Sequence, residues 1–187
     1  METININREE AQKAYAAISA DERAVVEKVV PRRFLVPENI CERVRMFNEA
    51  CDEIGEDHEF VRTYAATFLA IKDRHEYQDV LSYLRLRIIV CALNEGWDSR
   101  QDMDKNGYGP HYMLLDNEEY KTLSTFDKEM CVELWVDADG VPQHAKVGVC
   151  KLCPGNALAI RTPELARYAG FQFAREYFSL LFRFHKD

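Results

Sequence analysis

The apolar residues of this chain repeat with one period before Gly96 and with another after it. Upstream they recur at three- and four-residue spacing, which lines one face of a helix. Downstream they alternate, which lines one face of a strand. A single late switch of this kind reads as an α+β fold. The expectation is a helical N-terminal half, then a small antiparallel β-sheet of three or four strands packed on a long C-terminal helix.

The helical half divides in two. Residues 1–36 read as an N-terminal helical arm, with Asn7 capping a helix that begins at Arg8. Asp21-Glu22-Arg23 opens a second short helix that Pro31 stops. Residues 37–187 read as a single α+β domain: helices over 37–96, a loop over 97–110, a sheet over 111–161 and a helix over 163–184. Within it, Ile40, Val44, Phe47, Cys51 and Ile54 predict one helix over 37–55, which Gly55 ends in a left-handed conformation. Further helices follow over 59–72 and 76–95, with Asp73-Arg74-His75 as the break between them and Gly96 as the stop.

Past the polar loop, His111–Leu115 is a strand candidate. Met130–Asp137 and Val141–Cys150 read as a hairpin turning on Asp139-Gly140. That turn sets Val132 opposite Val147, Leu134 opposite Ala145, Glu133 opposite Lys146 and Trp135 opposite His144, which matches apolar with apolar and acid with base. Ala157–Arg161 reads as another short strand. Thr162-Pro163-Glu164 starts the final helix. Its stripe of Leu165, Ala169, Phe173, Tyr177, Leu180 and Phe184 places it between the sheet and the N-terminal helices.

Composition excludes several classes. The longest unbroken apolar run, Ile88–Leu93, is far shorter than the ~20 residues of a membrane span, and the charged first ten residues contain no signal-peptide core. A cytoplasmic location is expected, so the six cysteines read as free thiols. A net charge of −8 disfavours general nucleic-acid binding. The charge is uneven, with an excess of acids over 101–150 and an excess of bases over 151–187.

Candidate site residues fall in three groups. Asp102, Asp104 and Asn106 before Gly107 copy the start of a calcium loop, although Met113 stands where the closing Glu belongs. The competing reading is an acidic surface loop. Cys150 and Cys153 form one CxxC, which needs two more ligands to hold zinc. Cys131 and His144 are the nearest, in a poor geometry, and the competing reading is two thiols flanking a turn. Trp135 and His144 share the polar face of the hairpin, where they either contact a partner or lie under the C-terminal helix or the N-terminal arm. Arg85 and Arg87, with Arg74 nearby, read as a solvated helix face or as partners for acids. The histidines are scattered, and no nucleophile elbow, P-loop or HExxH occurs. No catalytic residue and no cofactor is assigned, with calcium or zinc as the alternatives, and a non-enzymatic role is expected.

Three segments carry a resemblance. Arg43–Cys51 has the form RVxxFxxAC, Arg87–Trp97 the form RIIxxALNEGW, and Glu164–Phe173 the form ELAxYAGxQF. In this order they resemble an uncharacterised family of small proteins from phages and prophages of Bacteroidales. The likeness covers roughly the last three quarters of the chain, departs from the family pattern at 107–112 and 157–161, and implies a mobile-element origin with no catalytic set. The expected function is that of a phage or prophage accessory protein acting through protein–protein contacts, self-association included. One alternative is a nucleic-acid-associated factor using the basic C-terminal segment with Trp135 and Tyr112. Another is a metal-binding protein or small enzyme using the Asp102 loop or the Cys150 pair.

Overall fold

The computed structural model describes residues 7–30, 32–102, 104–136 and 142–181. They form an α+β fold with a helical N-terminal half, a three-stranded antiparallel sheet and C-terminal helices packed on it. The chain divides into two compact units, the first running to Arg43 and the second from Val44. The arm expected to end at residue 36 therefore runs on through a further short helix.

The first unit contains α1 (Arg8–Ala17), α2 (Ala20–Val26), α3 (Arg32–Leu35) and α4 (Ile40–Arg43). Asn7 caps α1 as expected, its side chain accepting the Glu9 N–H at 3.0 Å. The start of α2 is fixed by Ser19, two residues ahead of the expected acidic cluster. Ser19 and Glu22 satisfy each other's backbone N–H in a capping box. The expected stop at Pro31 lies outside the described residues. Arg43 ties α4 back to the preceding turn, donating to the carbonyls of Pro37 and Glu38 at 2.9 Å each.

The second unit opens with α5 (Phe47–Ile54), α6 (Glu59–Ile71) and α7 (Gln78–Asn94). The helix expected over 37–55 is thus two helices, α4 and α5, with a break over 44–46. Neighbouring side chains take up the backbone groups of the break. The Tyr168 hydroxyl donates to the Val44 carbonyl at 2.7 Å, and the Gln172 amide donates to that of Arg45 at 2.7 Å. The Glu49 carboxylate receives the N–H groups of Arg45 and Met46. Those bonds offset the helical ones forgone. Gly55 closes α5 at φ 90°. The break around Asp73-Arg74-His75 is present, with a 3₁₀ turn over His75–Tyr77.

Helix α7 is the centre of this unit. Leu86, Ile88, Ile89 and Leu93 are fully buried, because α5, α6 and a C-terminal helix surround it. No helix among the described residues is long and apolar enough to cross a membrane.

The sheet consists of β1 (Gly107–Leu115), β2 (Cys131–Val136) and β3 (Pro142–Leu152) in the order β1-β3-β2, all antiparallel. Strand β1 begins at Gly107, earlier than the expected His111. Between β1 and β2 lie two helices that the periodicity did not reveal, α8 (Asn117–Thr122) and α9 (Thr125–Glu129), capped by Asp116 and Ser124. The β2–β3 register is displaced from the expected one. Val132 pairs with Ala145, Glu133 with His144 and Trp135 with Gln143, with a bulge between Glu133 and Trp135. Up to Glu133 the slip is by two residues, which keeps each side chain on its own face, so apolar patterning cannot separate the two registers there; past the bulge the slip is by one. The expected Glu133–Lys146 pair is replaced, since Asp127 of α9 takes the Lys146 ammonium at 2.7 Å. The expected Asp139-Gly140 turn lies outside the described residues. Ala157–Arg161 is not a strand of the sheet; only Ile160 bridges, to Tyr108.

The expected final helix is two helices, α10 (Pro163–Gln172) and α11 (Ala174–Leu181), interrupted at Phe173. Thr162 caps α10 and Pro163 occupies its first turn, as expected. The break lets the halves face different ways: α10 covers β1 and β3, while α11 packs on β2 and α7. Phe178 and Ala174 thereby close a cluster with Leu134 and Ala145. Gly170 permits the close approach of α10, because a Cβ there would lie 2.7 Å from Pro110 and 2.8 Å from Val147.

Candidate functional site

The C-terminal end of α7 forms one wall of a cavity of about 230 Å³. Glu95 in a left-handed conformation (φ 49°) and Gly96 end the helix and turn the chain into the loop from Trp97. That loop is held in place from the other side. The Ser99 hydroxyl donates to the Asn156 carbonyl at 2.6 Å, and the Gly155 N–H donates to the Ser99 carbonyl at 3.2 Å. Asn94 is buried and completes the tie, donating to the Ala159 carbonyl and accepting the Arg161 N–H. The start of α6 supplies the opposite wall.

Charge in the cavity centres on two guanidinium groups. Arg87 is only 7% exposed and lies over the Phe60 ring at 4.3 Å. Arg100 reaches the same ring at 5.9 Å and grips Asp98 through three contacts of 2.6–3.1 Å. That grip, above all the side-chain hydrogen bonds from Arg100, holds the Asp98 carboxyl below the usual carboxylate range. Arg87 has no hydrogen-bond or ion-pair partner among the described residues.

His58 and Cys91 also meet here, with Nε2 3.8 Å from Sγ. They do not form a nucleophile and base. His58 Nδ1 accepts the Phe60 N–H at 3.2 Å as the cap of α6, which leaves the proton of the neutral ring on Nε2, facing the sulfur. Burial also pushes the Cys91 thiol up, against the pull of Arg87 and Arg100. The cavity can bind and orient a group, but it presents no activated nucleophile.

No family model, curated protein or solved structure matches this chain.

The residues singled out from sequence are dispersed. Asp102 accepts from Lys105 at 2.8 Å and from the Trp97 indole at 3.3 Å, and the Lys105 bond holds its carboxyl low. Asp104 and Asn106 are exposed. The Cys150 thiol donates to the Gly109 carbonyl at 3.6 Å, and Cys153 is exposed beyond the end of β3. Cys131 stands opposite Lys146, with its thiol on the Asp127 carbonyl. Among the described residues no three His, Cys, Asp or Glu side chains gather as a metal site. None of the six cysteines is joined in a disulfide.

His144 lies under α8, its ring stacked on Tyr120 at 3.6 Å. Its cover is thus a helix that the sequence pattern did not reveal. The Trp135 side chain is outside the described residues. Tyr112 points the other way, into the core, where its hydroxyl donates to the Gly170 carbonyl at 2.8 Å and its ring meets Phe178 at 4.7 Å.

Sequence reasoning set Arg87 on a solvated face or beside an acid, and the solvated face is corrected: Arg87 is buried against Phe60, where the Asp98 carboxylate feels its charge. Its neighbours fit the reading, Arg85 pairing with Glu176 at 2.9 Å and Arg74 with Glu76 at 3.0 Å. The available signal was local. Arg87 is the one charge inside the apolar run Leu86–Leu93, and a charge inside such a run faces the core for a reason.

Proposed function

We propose that this chain is an accessory protein of phage or prophage type that acts through protein–protein contacts, beginning with its own dimerisation. The observation that carries the contact reading is α6. It is rich in apolar residues, yet every one of its residues stays half-buried or exposed. Phe60, Val61, Tyr64, Thr67 and Ile71 line the more covered side. Ala65, Ala66, Leu69 and Ala70 lie together on the opposite face, with Leu69 74% exposed. Phe68 flanks that face, and Tyr77, Val80 and Tyr83 stand exposed at the start of α7. A contiguous apolar face of this kind is a contact surface.

A second copy fits it best. No charged residue occurs between Arg62 and Lys72. With a net charge of −8, two copies meet at low electrostatic cost through a neutral patch. The small Ala side chains allow two helices to approach closely, and a self-complementary patch gives a closed two-fold dimer. The phage or prophage origin rests on the RVxxFxxAC, RIIxxALNEGW and ELAxYAGxQF segments. Native mass spectrometry of the purified protein, with and without chelator, tests the reading. A metal-free dimer is expected. A monomer carrying a bound ion would overturn it in favour of the metal-binding alternative.

A further inference from the structure

We infer that the cavity at the end of α7 binds a small oxyanion, a carboxylate or a phosphate group, with Arg87 as its anchor. The inference is independent of dimerisation through α6. A guanidinium largely withdrawn from water gains from hydrogen-bond acceptors, and the Arg87 nitrogens are not sealed off from solvent, so a ligand can reach them. Arg87 is only 7% exposed and lies on the face of Phe60 at 4.3 Å, yet it has no hydrogen-bond partner among the described residues. An aromatic face satisfies the charge in part and leaves the N–H donors of the fork unused. Those donors match the two oxygens of a carboxylate or phosphate.

The surroundings point the same way. Arg100 brings a second cation to the same ring. Two acids line the cavity, and neither hydrogen-bonds Arg87: Asp98 feels its charge through space but is gripped by Arg100, and Glu59 is exposed. The positive end of the α6 dipole lies in the wall at Glu59 and Phe60. Ser99 and the Trp97 indole are committed, to Asn156 and Asp102, while the exposed Gln101 keeps its amide open to solvent. Arg87 is the buried cationic donor there without a hydrogen-bond partner among the described residues. A volume of about 230 Å³ admits a small acid or phosphate ester, below the ~300–1,000 Å³ typical of pockets for larger ligands.

The test is an amide-shift titration of the ¹⁵N-labelled full chain, with inorganic phosphate in one series and acetate in another, at fixed ionic strength. Chemical shift is the readout because phosphate raises the thermal stability of many proteins without binding them. Saturable shifts at Phe60, Arg100 and the Arg87 side chain are expected with at least one of the two ions. The ion that saturates at the lower concentration names the class. Arg87→Gln should weaken that saturation about tenfold or more, the loss expected of a charge-assisted pair. Asp98→Asn, which frees Arg100, should tighten it several-fold, a gain that no misfolded variant would show. Shifts that stay linear and spread over the surface with both ions would overturn the inference. So would unchanged saturation in Arg87→Gln, or weaker binding in Asp98→Asn.

Discussion

Tyr112 and Tyr177 face each other across the seam between β1 and α11, with ring centroids 6.2 Å apart. They differ in one hydrogen bond. Tyr112 donates to the Gly170 carbonyl, whereas the buried Tyr177 hydroxyl has no partner among the described residues. Tyr112→Phe should therefore cost about 1–3 kcal/mol, since it also strands an acceptor. Tyr177→Phe should be neutral or stabilise by up to ~1 kcal/mol, because only an unsatisfied group is removed. Urea unfolding of the two variants separates these outcomes, and equal losses would contradict the assignment. Burial raises the pKa of both phenols. Below the ordinary tyrosine value of ~10 neither state ionises, and the stability is complete. Above it the unfolded chain releases protons that the folded chain retains, so stability falls as pH rises. Thermal melts from about pH 8 to 11, spanning that ordinary value, should show the decline, and it should be shallower in Tyr177→Phe.

At the scale of elements, Gly170 decides how closely α10 meets the sheet. Alanine favours a helix interior by about 1 kcal/mol over glycine. A Cβ at 2.7–2.8 Å from Pro110 and Val147 overpacks the seam, which costs about 1–3 kcal/mol. Gly170→Ala should thus be destabilising overall, and a raised midpoint in denaturant would refute the close approach. Much at this scale was legible. Asn7, Thr162-Pro163 and Gly96 mark helix ends through local hydrogen bonding and backbone geometry, which sequence encodes directly. The caps of α8 and α9 were equally local, as Asp116 with Glu119 and Ser124 with Asp127, but these helices are too short to show a period. Asp116→Ala should cost about 0.5–2 kcal/mol through the lost cap, read as a lower thermal midpoint. The hairpin register and the breaks at 44–46 and Phe173 were not legible. Up to Glu133 the slip is by two residues, which preserves each face, and the 44–46 break is stabilised by Tyr168 and Gln172, more than 120 residues away. The cavity escaped for the same reason, since His58, Arg87 and Arg100 belong to three segments that only folding brings together.

For the whole molecule, the α+β architecture follows from the change of period at Gly96, and the exposed face of α6 follows from having more apolar residues than α7 can cover. That surplus is the basis for the proposed dimerisation. Leu69→Lys puts a charge at the middle of the face without disturbing a buried residue, since Leu69 is 74% exposed. Surface changes of this kind shift stability by about 0.5 kcal/mol or less, so the fold should be retained. The most direct measurement is sedimentation equilibrium of the wild-type chain and of Leu69→Lys across micromolar concentrations. A wild-type dimer and a Leu69→Lys monomer with an unchanged circular-dichroism spectrum is the predicted result. A wild-type monomer throughout that range, or a dimer that Leu69→Lys leaves intact, would contradict it.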